Sequence, residues 1–201
     1  MKTYHVLQAT LTLATCTLSA LVISTSANAS TVVTFDDLKG DNLLVPDGYG
    51  GIRWDNNWTY YGFDQFPYTP ESIPNRIYGK YDKWNHSIPF YFESPVIFDG
   101  SYFAGSNPFG VVSFSLYNGG TLQAISASLA PSSTPTFLSS GYTGLVDEVR
   151  VNFYSSSIVM DNVTYHTAAV PEPASLIGLL GLGAFGITSK FKRKQKQQVH
   201  S

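Results

Sequence analysis

Alternation of apolar and polar residues at a period of two constrains this chain more than any other feature. Val112, Phe114 and Leu116 point one way along their run while Ser113 and Ser115 point the other, and Val149, Val151 and Phe153 repeat the pattern against Arg150 and Asn152. Successive side chains of a strand project to opposite faces, so each run has one face to bury and one to leave in water. Asn118-Gly119-Gly120 between two such runs is a hairpin signal, because a tight turn needs residues that accept positive φ. Further strand signals fall at 31–35, 52–54, 57–61, 89–92, 96–98, 102–104, 121–128 and 157–165, punctuated by Gly, Pro, Asn and Ser. No stretch between 30 and 168 keeps a helical period with caps. The expected fold is all-β, an antiparallel β-sandwich of jelly-roll type, with a closed barrel as the alternative.

Two apolar segments bracket this domain. Residues 1–29 read as a secretory signal peptide, with Lys2 in the leading segment, an apolar run over 6–23 and the small-x-small cleavage site Ala27-Asn28-Ala29. Cleavage there removes Cys16, the chain's one cysteine, so the mature domain can form no disulfide of its own. At the other end, residues 174–189 carry no charge and would make about 24 Å of helix, slightly short of the ~30 Å hydrocarbon core. On length alone a buried core helix is the alternative. Pro171 and Pro173 separate this segment from the domain, and Lys190, Lys192, Arg193, Lys194 and Lys196 follow it. Proline cannot continue a regular element, and a basic flank holds its end of a membrane helix on the cytoplasmic side. A single membrane-spanning anchor with a cytoplasmic C-terminus is therefore expected.

Val170-Pro171-Glu172-Pro173, the Gly-rich apolar segment and the basic cluster together resemble the PEP-CTERM sorting signal of bacterial envelope proteins. The resemblance covers residues 169–196 and implies recognition by an exosortase, after the secretion machinery has carried the domain across the membrane. It is an address and not an activity. The chain thus divides into a signal peptide at 1–29, a β-sandwich domain at 30–168 and a sorting segment at 169–201. Within the last, the motif lies at 170–173, the helix at 174–189 and the basic tail at 190–201.

Between residues 30 and 169 thirteen acids face six bases, a net charge of −7 that the basic tail masks in the full-chain value of −2. A domain this acidic has no electrostatic footprint for nucleic acid. Aromatic residues are unevenly spread: 49–92 holds 14 of the chain's 29, including all three tryptophans. Between 62 and 87 the pattern is not strand-like, and Pro67, Pro70 and Pro74 keep the backbone in turns. Flat rings stack on the C–H face of a pyranose while neighbouring amides and charges take its hydroxyls. On that reading Trp58, Tyr60, Tyr61, Tyr81 and Trp84 are the candidate exposed ligand-binding rings, and the partner is a polysaccharide. Each ring also buries a large apolar area, so core packing is the alternative for any one of them.

Carboxylates cluster after the first strand and within the last. Asp36, Asp37 and Asp161 could converge on a structural Ca²⁺ if those strands pair, although the spacing fits no calcium loop and turn chemistry is the plainer reading. No other cofactor is expected. No Gly-x-Ser-x-Gly elbow, Cys/His cluster or convincingly paired glutamates occur, so the domain is expected not to be an enzyme. A carbohydrate-binding surface or extracellular-matrix protein is the leading expectation. A structural or adhesive envelope protein is the alternative, and a matrix-polymer hydrolase or an ice-binding protein ranks below both.

Overall fold

A computed structural model of the chain describes residues 29–80, 86–106, 110–153 and 158–168. Apart from Ala29, the expected signal peptide lies outside the described residues, as does the segment 169–201 with its motif and the helix expected there. Among the described residues no helix is long and apolar enough to cross a membrane.

The described chain is all-β and wholly antiparallel. Its strands are β1 (Ser30–Val33), β2 (Leu43–Leu44), β3 (Ile52–Trp54), β4 (Trp58–Tyr61), β5 (Arg76–Gly79) and β6 (Ser87–Gly105). There follow β7 (Val112–Asn118), β8 (Thr121–Ile125), β9 (Thr136–Ser139), β10 (Val146–Phe153) and β11 (Ile158–Thr167). The main hydrogen-bonded path runs β2-β4-β5-β11-β6-β10-β7-β8; β1 pairs with β11, and β3 and β9 pair with β6. The first and last strands are thus neighbours, Thr31 lying opposite Tyr165.

β6 organises the whole. Its first part carries β3 and most of the β10 pairing, while its later part pairs with β11 and β9. The sequence splits this strand into three runs at Pro95 and Gly100; the structure joins them. Opposite β10 the register slips between the Val146–Val96 and Glu148–Tyr91 pairs, which leaves Glu93, Ser94 and Pro95 in an exposed bulge. A proline costs no ladder bond in such a bulge. At Gly100, φ is 147° and a Cβ would stand 2.1 Å from the Leu138 carbonyl oxygen, so only glycine lets β9 approach so closely.

The two parts of the sheet fold face to face, which is sandwich-like packing. Phe98 of β6 meets Phe114 of β7 edge-on with ring centroids 4.9 Å apart, and Trp54 of β3 meets Trp58 of β4 at 6.1 Å. The alternation read in β7 and β10 is realised: Val112, Phe114, Leu116, Val149 and Val151 are all buried. Each such side chain contributes roughly 1.5–3 kcal/mol through the apolar area withdrawn from water.

Candidate functional site

The connection between β4 and β5, residues 62–75, has no regular secondary structure and lies against the sheet face that turns away from the main core. Polar fastenings hold it in place. Gly62 N–H donates to Asp41 Oδ1 at 2.6 Å, Ser72 N–H to Asp161 Oδ2 at 2.9 Å and Asn75 N–H to Asp36 Oδ1 at 3.0 Å. The Asn75 amide donates to the carbonyls of Phe35 and Leu38. From the start of β5, Arg76 reaches both ends of the loop, Nη2 donating to the Phe63 carbonyl at 2.7 Å and Nη1 to that of Pro74 at 3.4 Å. The Arg76 side chain is 1% exposed, its guanidinium lies 4.1 Å from the centre of the Tyr61 ring, and its Nε has no partner. Among the described residues no carboxylate pairs with it.

Where this loop meets β4, β5 and β11 a cleft of about 500 Å³ opens. That volume falls within the range of small-ligand pockets. Its walls are Tyr61, Phe63, Tyr68 and Tyr78 with Val159, and Asn42, Gln65 and Lys80 complete the lining. Tyr61 and Phe63 stand 4.7 Å apart, and Tyr78 meets Tyr61 edge-on at 5.7 Å. Burial raises the Tyr61 phenol above its usual range; Arg76 pulls the other way, and Tyr68 and Tyr78 add a little to the rise. Three phenols therefore converge beside one guanidinium. The apolar gap lined by Trp58, Phe103, Phe153 and Met160 offers only about 10 Å³, at the lower limit for one water.

The rings expected to be exposed are placed differently. Trp58 is 2% exposed, sits in the core and donates its indole N–H to the Pro89 carbonyl at 2.9 Å. Tyr60 is 4% exposed, with its hydroxyl on the Lys39 carbonyl. Both are packing residues, because β4 is covered on one face by the core and on the other by the 62–75 loop. Tyr61 is buried too, yet it forms the floor of the cleft. Tyr81 and Trp84 lie outside the described residues. Sequence reasoning passed over Phe63, Tyr68, Tyr78 and Lys80. Tyr78 follows the β-branched Ile77 in a run of strand formers, a signal that Pro74 and Gly79 on either side obscured.

The three carboxylates considered for Ca²⁺ separate into two groups. Asp37 accepts the hydroxyl of Tyr49, whose phenol is raised far above its ordinary range by burial and by that carboxylate. Asp161, 2% exposed, accepts from Ser72 N–H on one oxygen and from its neighbour Asn162 N–H at 2.8 Å on the other. Burial drives the Asp161 carboxyl up to about 7 despite these donors, and Asp36 adds to the rise. Asp36 and Asp161 thus sense each other while both fasten the same loop. No group of three or more acidic, His or Cys side chains placed to hold a metal occurs among the described residues.

A second aromatic surface lies on the outer face of β3, β6, β10 and β7. There the Arg53 guanidinium covers the Tyr91 ring at 4.2 Å and that of Arg150 covers Tyr117 at 4.5 Å, while Arg150 pairs with Glu148 at 2.6 Å. These ring faces are taken by the protein's own arginines.

The PEP-CTERM protein-sorting motif family matches residues 169–194. No curated protein matches the chain as a relative. Solved structures similar to it include two variants of a family 29 carbohydrate binding module. One is 14% identical with a TM-score of 0.40, covering 71% of this chain and 94% of that one. The other, complexed with cellulohexaose, is 12% identical with a TM-score of 0.40, covering 72% and 94%. The chain therefore carries a PEP-CTERM protein-sorting motif in its C-terminal segment, a signal that implies export and sorting by an exosortase.

Proposed function

We propose that the exported domain at 30–168, a jelly-roll-like sandwich, is a non-catalytic module that binds carbohydrate in the cleft beneath the 62–75 loop. In the precursor the 174–189 segment holds it at the membrane with the basic tail in the cytoplasm, and processing leaves it at the cell surface or outside. The observation that carries the reading is the lining of the cleft: four aromatic residues together with Asn42, Gln65 and Lys80. Rings supply apolar faces for the C–H side of a sugar, and amides and phenols can donate to or accept from its hydroxyls. A pocket with polar groups at a few fixed points has the composition of a small-molecule site.

The test is binding of the producing cell's own polysaccharide to the full chain in detergent micelles, by calorimetry, beside the Tyr78→Ala variant. Losing one well-packed ring should weaken binding by about tenfold, with the circular dichroism melt as control for folding. Affinity unchanged in Tyr78→Ala would remove the cleft from consideration, and absence of binding to any glycan would favour a structural or adhesive role.

A further inference from the structure

We infer that the carbohydrate taken by the cleft is an acidic one, a polymer carrying carboxylates such as a polyuronate; this rests on the cleft being a carbohydrate site. The domain as a whole is acidic, yet Lys80 is the one charged side chain among the described residues lining the cleft. Behind its floor stands a second positive charge. Arg76 is buried, and carbonyl dipoles and a ring face, not a carboxylate, compensate it. The carboxylates that fasten the loop are engaged by backbone N–H groups. Asp41 takes the Gly62 N–H, and Asp161, flanking the Met160–Ile77 bridge as Arg76 does, takes those of Ser72 and Asn162. A buried charge is screened less than an exposed one, so the field of Arg76 reaches the cleft through the Tyr61 ring.

The chemistry of recognition follows from the two positions. A pyranose stacked against Tyr68 or Tyr78 would bring its carboxylate to the Lys80 ammonium and to the Tyr61 hydroxyl. In that contact the hydroxyl would donate and the carboxylate accept. Hydrogen bonds to an ionised acceptor are roughly twice as strong as neutral ones. Lys80 would touch the ligand directly, whereas Arg76 acts through Tyr61 as a positioning residue.

The experiment titrates the full chain in detergent micelles with oligogalacturonate and with the same oligosaccharide after reduction of its carboxyl groups. The acidic form should bind about tenfold more tightly. Lys80→Gln should cost about fivefold with the acidic ligand and distinctly less with the neutral one. Raised salt should weaken the acidic ligand alone. Equal affinity for both forms, each still weakened by Tyr78→Ala, would overturn the preference for acid and keep carbohydrate binding. No binding of either form, nor of any other glycan, would overturn both.

Discussion

Replacing the Asp161 carboxylate by an amide (Asp161→Asn) should change how the domain's stability depends on pH, and the size of the change can be worked out. In a free chain this carboxyl titrates near 3.8; buried beneath the 62–75 loop it titrates near 7. Below pH 3.8 it is protonated in the folded and the unfolded chain alike, and its titration costs nothing. Between 3.8 and 7 the unfolded chain releases the proton while the folded one keeps it, so unfolding is favoured progressively as pH rises. Above 7 both are ionised and the penalty is constant. A difference of about three pH units at 1.36 kcal/mol each amounts to about 4 kcal/mol.

The introduced amide cannot ionise, so the variant lacks this term. It also loses one acceptor, because an amide offers a single oxygen where the carboxylate uses one for Ser72 and the other for Asn162. That loss is a fixed offset of about 1–3 kcal/mol at every pH. Urea unfolding of both proteins from pH 4 to pH 8, followed by fluorescence of the buried Trp54 and Trp58, gives the two stability curves. Their difference cancels the other titrating groups, and it should move by about 4 kcal/mol in the variant's favour as pH rises through this window. A difference that stays flat would mean that the N–H donors of Ser72 and Asn162 outweigh burial and keep Asp161 ionised in acid, and the reasoning would fail.

Two further outcomes can be checked by thermal melts. Gly79→Ala should destabilise by about 1–3 kcal/mol, since the new methyl would stand 2.5 Å from Ile88 Cδ1 and 2.9 Å from Phe153 Cζ in a packed core. Millimolar Ca²⁺ or a chelator should leave the melting midpoint unchanged, because Asp36, Asp37 and Asp161 each accept hydrogen bonds from protein groups. A midpoint raised by Ca²⁺ and lowered by Asp161→Asn would instead show those oxygens binding metal.

How much of this was legible depended on whether a strand had one wet face. β7 and β10 do, and their Val/Phe/Leu against Ser/Arg/Asn alternation identified them; the Asn118-Gly119-Gly120 turn was equally plain, with both glycines at positive φ. β5 was not legible. Its inner face carries Ile77 toward the core and its outer face carries Arg76 and Tyr78 beneath the loop, so no alternation shows. β4 hides its faces in the same way: Trp58, Thr59, Tyr60 and Tyr61 are all buried. The aromatic-dense stretch 49–92 includes the rings that line the cleft, but sorting lining rings from packing rings required the path of the 62–75 loop. That path is set by Asp36 and Asp161, which lie far from it in sequence.

The same dependence explains why the cleft can serve as a site at all. Left bare, the outer face of β4, β5, β11 and the end of β6 would expose Tyr61, Val159 and Ala104 and leave the Arg76 charge in water, a patch without shape. Covering it with a loop of fourteen residues costs backbone entropy of roughly 1–2 kcal/mol per residue. Prolines at 67, 70 and 74 reduce that cost by restricting the unfolded chain. Arg76 then ties together the two ends of the loop and Asp161 holds Ser72 near its second half, so the border of the loop is fixed before any ligand arrives. Rings held in advance lose little freedom on binding, and affinity rises when that cost is already met in the fold. Arg76 is thus needed twice, as the clamp that shapes the cleft and as the charge behind it. For that reason the charge of the ligand is better tested at Lys80, whose side chain fastens no part of the loop.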